Sequence, residues 1–181
     1  MDRIDILVEQ WRKERPDLDA SPMEIVGRIM HLDYFVESRF EEIIKSQDIT
    51  LPEFDVLAVM RRCGKPFKMS VGSLCSYSLL SSGAMTNRID RLERKGLVVR
   101  ERNPADRRGV LVVLTNKGFE LIQSLIELRL AEANRITSLL STEDQNNLAA
   151  ILRRLVTSMQ YLDGYADETL DELVMQQHTE V

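Results

Sequence analysis

Apolar residues recur at helical spacing along most of the chain and run together in only one short stretch. Residues 2–15 place Ile4, Leu7 and Trp11 on one narrow stripe, which Pro16 ends. Ser21-Pro22-Met23-Glu24 reads as a capping box with proline at the first helical position. It predicts a long helix to about Lys45 through Ile25, Ile29, Leu32, Val36, Phe40 and Ile43. Thr50-Leu51-Pro52-Glu53 repeats that signal and leads through Phe54, Leu57 and Val59 to a stop at Gly64. Ser70 heads a short helix with Val71, Leu74 and Tyr77, and Ser81 or Ser82 heads another that ends at Gly96.

Past Gly96 the pattern changes. Residues 97–102 and 110–114 are β-branched runs joined by Asn103-Pro104-Ala105-Asp106-Arg107-Arg108-Gly109, which predicts a hairpin with a basic, polar tip. Thr115 caps a long helix carrying Leu121, Ile122, Leu125, Leu128 and Leu139. A last helix starts at Ser141-Thr142-Glu143-Asp144 and carries Leu148, Ile151, Leu152, Leu155 and Met159. The fold class predicted is mainly α with a small β-hairpin wing (α+β), without internal repeats.

Composition agrees with that class. The 181 residues are 44% apolar, enough for a packed core and too many for a disordered chain. Eight glycines and five prolines are few for an all-β sandwich. Two cysteines, Cys63 and Cys75, cannot build a disulfide scaffold. With no apolar run near the roughly 18 residues of a membrane span, the expectation is a soluble, cytoplasmic protein without membrane contact.

Net charge alters the picture once it is divided along the chain. The total is -5, which by itself argues against nucleic acid. Residues 61–117, however, hold thirteen Lys or Arg against four acids, a local charge of +9 that leaves -14 for the flanks. A basic centre on an acidic scaffold fits a DNA-reading lobe; a merely solvated basic face is the plainer alternative.

Three helices followed by a basic-tipped hairpin is the order of a winged helix-turn-helix. On a 3.6-residue period Met85, Ile89 and Leu92 share one face of the helix before the hairpin. The opposite face presents Gly83, Asn87, Asp90, Arg91 and Arg94, with Ser82 and Thr86 on one shoulder. Asn and Arg suit adenine and guanine edges in the major groove, while Ser and Thr near a helix start suit phosphates. Arg107 and Arg108, with Asp106 to orient Arg108, suit a minor groove. Arg88 falls on the other shoulder, near the buried face.

The run from Ser81 to Glu93, then Lys95-Gly96-Leu97-Val98, Asp106-Arg107-Arg108-Gly109-Val110 and Leu114-Thr115-Asn116-Lys117-Gly118, resembles the MarR family of transcriptional regulators. The likeness is strong over 51–118. It implies a MarR-type winged helix-turn-helix with an interlocked helical dimerisation lobe, a homodimer that sets its wings on a pseudo-palindromic double-stranded DNA operator. It implies one domain over 1–181, in which 50–115 is the DNA-binding lobe and 21–49 and 116–163 are the dimerisation helices. Residues 1–16 form an extra N-terminal helix, and 164–181 an acidic tail. The DNA-binding set so implied is Ser81, Ser82, Gly83, Thr86, Asn87, Arg91, Arg94, Arg102, Arg107 and Arg108.

The extra helix with Trp11, the segment 14–19, and Glu53-Phe54-Asp55-Val56-Leu57 are similar to the urate-responsive branch of that family, the HucR and PecS type. This implies a ligand-binding set of Trp11, Asp55, Arg88 and Arg100, and a small anionic effector. Two arginines and an indole suit a planar, hydrogen-bonding anion such as urate; a tricarboxylate such as aconitate, or a phenolic acid, stays open. Competing with this are packing and surface roles for each residue taken alone, a redox-sensing regulator acting through Cys63 and Cys75, and an architectural DNA binder without effector. An enzyme has little support. His31 and His178 are far apart, and Gly83 and Gly96 stand singly rather than in a phosphate loop, so no catalytic residue, metal or cofactor is expected.

Overall fold

The computed structural model describes residues 1–78, 82–104 and 109–162. They fall into two compact units divided between Phe54 and Asp55. Ser81, the wing-tip residues Asp106, Arg107 and Arg108, and the tail 164–181 lie outside the described residues.

The first unit holds α1 (Arg3–Glu14) and α2 (Met23–Ile44), the latter followed by a short 3-10 turn, Lys45–Gln47. Asp2 and Asp5 form a reciprocal capping box at the start of α1, with amide-to-carboxylate distances of 3.1 and 2.7 Å. Ile4 and Val8 are its buried residues. This shifts the buried stripe from the predicted one, since Trp11 is 50% exposed. Gly27 of α2 makes room for α1, because a Cβ there would stand 3.1 Å from Ile4.

Arg28 of α2 clamps the start of α1. It donates to Asp2 at 2.8 Å, to Asp5 at 2.5 Å and to the carbonyl of Glu24 at 2.7 Å. The capping box predicted at Ser21 does not form. The cap residue of α2 is Pro22, without a side-chain bond, and the amide and hydroxyl of Ser21 turn back to Asp19. Glu24, the expected box partner, instead takes a hydrogen bond from Arg12 of α1 at 2.8 Å. A tertiary ion pair has displaced a local cap. Phe40 packs edge-on against Phe54, with centroids 4.8 Å apart.

Helix α3 (Leu51–Arg62) leads into the second unit. Its own box is half visible, as Glu53 accepts the Thr50 amide at 2.9 Å. Then come β1 (Lys68–Ser70), α4 (Val71–Ser78), α5 (Ser82–Arg94), β2 (Val98–Arg102), β3 (Val110–Leu114), α6 (Asn116–Thr137) and α7 (Thr142–Leu162). The predicted hairpin forms, pairing Val98 with Leu114 and Arg102 with Val110. It gains a third strand that the sequence pattern did not indicate. Strand β1 pairs Met69 with Val112 on the far side of β3, giving the antiparallel order β1-β3-β2. Three residues are too few to show a period of two.

The core of this unit is built from Leu57 and Met60 of α3, Leu74 of α4, Met85, Ile89 and Leu92 of α5, Val98, Val112, and Ile122 and Leu125 of α6, all buried. Thr115 caps α6 as predicted, its hydroxyl oxygen accepting the Gly118 amide at 3.0 Å. Leu139, predicted on that helix, lies past its end. On α7, Leu148, Ile151, Leu152, Leu155, Val156 and Met159 are exposed. Among the described residues, no helix is long and apolar enough to cross a membrane.

Candidate nucleic-acid interface

Helix α5 is strongly two-faced. Met85, Ile89 and Leu92 are fully buried, which fixes the rotation of the helix. Gly83, Thr86, Asn87, Arg91 and Arg94 are then exposed, as the period predicts. Ser82 is the first residue of α5. Among the described residues, nothing outside the helix's own backbone and the chain neighbours comes within 4 Å of a Cβ built on Gly83. A glycine in the first turn of this helix leaves space for another backbone to approach its free N–H groups.

The wing is held against the same helix. Arg100 of β2 donates through Nη2 to Asp90 at 2.5 Å and through Nη1 to Glu93, and its backbone amide reaches Glu93 at 3.0 Å. Partial burial works against the Arg100 charge, but the hydrogen bonds to Asp90 and Glu93 outweigh it and raise the guanidinium pKa. Asp90, which the helical period placed on the reading face, is thus paired with Arg100, its side chain 49% exposed. At the outer end of β2, Arg102 is exposed. Lys68 and Glu101 pair across the sheet at 2.6 Å. Lys117 donates to the carbonyl of Lys95 at 2.8 Å, closing the turn after α5.

Of the ligand set implied by the resemblance, three residues lie in this unit. Asp55 on α3 is exposed, yet the partial withdrawal of its carboxyl from water raises its pKa. Arg88 is the first of three cations that oppose the rise, followed by Arg129 and Arg62. Asp55 and Arg88 are thus brought within electrostatic reach, and Arg88 is half-buried as its shoulder position predicts. Arg129 of α6 and Arg62 of α3 were not read from the sequence as neighbours of Asp55; the two-turn spacing of Arg62 on the same helix could have marked it, whereas Arg129 comes from a distant helix. Arg100 is engaged by Asp90 and Glu93. Trp11 belongs to the other unit.

Cys63 and Cys75 are both half-buried free thiols. Burial pushes the Cys63 thiol up, against the opposing pull of the Arg62 charge, and so lowers its reactive thiolate fraction.

A buried three-helix core, a second helix with an exposed basic face and an antiparallel wing beside it define a winged helix-turn-helix DNA-binding domain. Residues 47–109 match the family model described as MarR family. The HTH-type transcriptional regulator PecS of Dickeya dadantii (strain 3937) is 34% identical over 149 residues, covering 82% of this chain and 90% of that protein. The chain belongs to the MarR family of transcriptional regulators. A mutant MarR from Escherichia coli, solved in complex with operator DNA, aligns at 26% identity over 80% of this chain and 96% of that one, with a TM-score of 0.64. AbsC, a MarR family regulator from Streptomyces coelicolor, shares the fold with a TM-score of 0.71 over 79% and 97% of the chains at 22% identity. The relatives are named as transcriptional regulators, and this protein is a DNA-binding regulator rather than an enzyme.

Proposed function

We propose that the protein is a cytoplasmic repressor that binds a pseudo-palindromic operator as a homodimer and is released by a small anionic ligand, with urate as the first choice. Asn87, Arg91 and Arg94 read base edges, and Ser81, Ser82, Gly83 and Thr86 approach phosphates at the start of α5. Arg102, Arg107 and Arg108 serve the wing, with Asp106 orienting its tip. The long apolar stripe of α7, with Ile151 58% exposed, supports a second copy as its cover.

One observation carries the effector reading. Arg88 is the foremost cation acting on Asp55, and it lies on α5, the helix that also carries Asn87 and Arg91. A change of charge beside Asp55 is therefore felt by the helix that reads DNA. An incoming anion repels Asp55, draws Arg88, and competes with Asp90 and Glu93 for Arg100. The likeness to PecS supports the same branch. A coupling of about 1–3 kcal/mol weakens operator binding roughly 5–150-fold, enough for regulation.

The test is a titration of operator-bound protein with urate, aconitate and salicylate. Urate is expected to release wild type and to act weakly on Arg88→Ala. Unchanged DNA affinity at saturating urate in both proteins overturns the urate reading.

A further inference from the structure

We propose that Arg100 is a positioning residue for operator binding, locking the first wing strand to the recognition helix through Asp90 and Glu93. The proposal rests on α5 being the helix that enters the groove. Helix α5 must approach a polyanion, and yet it carries two acids among its three arginines Arg88, Arg91 and Arg94. Unpaired acids there would oppose binding.

The geometry gives these acids a purpose. Asp90 and Glu93 stand three residues apart, on one side of the helix, so a single guanidinium can span them. Arg100 does so, reaching Asp90 at 2.5 Å and Glu93 through its other terminal nitrogen. Glu93 also accepts the Arg100 backbone amide at 3.0 Å, so it holds the strand itself and not only a side chain. The Arg100 side chain is partly withdrawn from water, 28% exposed against 37% for Glu93 and 49% for Asp90. Just before β2, the Leu97 amide bonds to the Leu92 carbonyl at 2.9 Å, which ties the strand to the same end of the helix. Rotating the wing away from α5 therefore breaks charge-assisted bonds at both acids. The helix and the wing are presented to DNA at one spacing, which a site read in two places requires.

The full-length protein first selects a duplex from a random-sequence pool. Its affinities for that duplex and for a scrambled one are then measured for wild type, Arg100→Met, Asp90→Asn/Glu93→Gln and the triple variant, with thermal unfolding to show that each is folded. Arg100→Met and the Asn/Gln pair are each expected to weaken the selected duplex by about tenfold, and the triple variant to be no weaker than either, as for contacting residues that act as one unit. Neutralising two acids near DNA would by charge alone tighten binding, so the sign of that variant is decisive. Hydroxyl-radical protection is expected to shrink at the flanks, where the wings lie, before it shrinks at the centre.

Tighter or unchanged binding by the Asn/Gln pair overturns the proposal. So do purely additive effects, or a salt slope that falls by about one in Arg100→Met, which marks a direct phosphate contact. Asn87→Ala/Arg91→Ala separates the two readings. If that variant keeps its preference for the selected duplex, α5 is not the reading helix; if it loses it while the Arg100 variants bind as wild type, only the clamp fails.

Discussion

Gly118 of α6 lies so close to Leu97 that a Cβ built on it would stand 2.1 Å from the Leu97 carbonyl oxygen and 2.9 Å from the side chain of Leu114. The contact sets the start of α6 against the turn that joins α5 to β2. Thr115 shares in it, with its amide bonding to the same Leu97 carbonyl at 3.1 Å. Gly118→Ala is expected to cost about 1–3 kcal/mol, because a backbone atom cannot yield as a side chain does. At roughly 2–4 °C per kcal/mol for a chain of this size, thermal unfolding reads the loss directly. An unchanged midpoint contradicts the close approach.

Arg61 of α3 packs its guanidinium over Phe119 at 5.0 Å and Phe67 at 5.6 Å from the ring centroids, and bonds to Gln123 at 2.9 and 3.1 Å. A planar fork can stack and donate twice at once; an ammonium cannot. Arg61→Lys is expected to lose about 1 kcal/mol despite keeping the charge. Denaturant titration checks this, and full stability in the lysine variant would show that charge alone suffices.

The attachment of α1 is expected to depend on pH. The carboxyls of Asp2 and Asp5 are held below the usual range, first by each other's backbone amides and then by Arg28. Groups whose pKa is lowered on folding stabilise above their unfolded value of about 3.9, and that contribution is lost as pH falls through the lowered folded values. Trp11, the one tryptophan of the chain, lies on α1, so its fluorescence reports this helix. A change in emission below about pH 4 is expected, and Arg28→Gln should move it to higher pH. Coincident curves for the two proteins would refute the clamp.

Asp55 has the opposite sign. Partial burial raises its carboxyl, Arg88, Arg129 and Arg62 only partly offsetting the rise, so the native state holds its proton more tightly than the unfolded chain. Stability then falls as pH rises from the unfolded value through the raised one and stays lowered above it. Asp55→Asn is expected to remove that decline and to be at least as stable as wild type at pH 7. Lower stability of the variant at pH 7 would mean that its arginine partners outweigh the burial.

Ile151 and Leu155 lie on the exposed apolar stripe of α7. Ile151→Asp is expected to shift the protein from dimer to monomer in sedimentation and to weaken operator binding, since half-sites are then bound singly. A wild-type protein that sediments as a monomer at micromolar concentration rules out this cover for the stripe.

Periodicity alone was enough to place α5. Met85, Ile89 and Leu92 repeat with the helix and carry enough apolar bulk to decide which side is buried, so the exposure of Asn87 and Arg91 follows from local pattern. The division of charge likewise marks 61–117 as the basic stretch from sequence alone. Relationships that join distant segments were not legible in this way. Strand β1 exists because β3 offers it a partner, not because Lys68-Met69-Ser70 has a pattern of its own. Glu24 follows the signature of a cap but answers Arg12, and Asp90 follows the reading face but answers Arg100. The helices and the buried face of α5 were determined by the sequence itself, because both arise from residues three or four apart. Which acid meets which arginine was decided only by the tertiary structure, because a charge takes the partner that the fold brings nearest, whatever the separation along the chain.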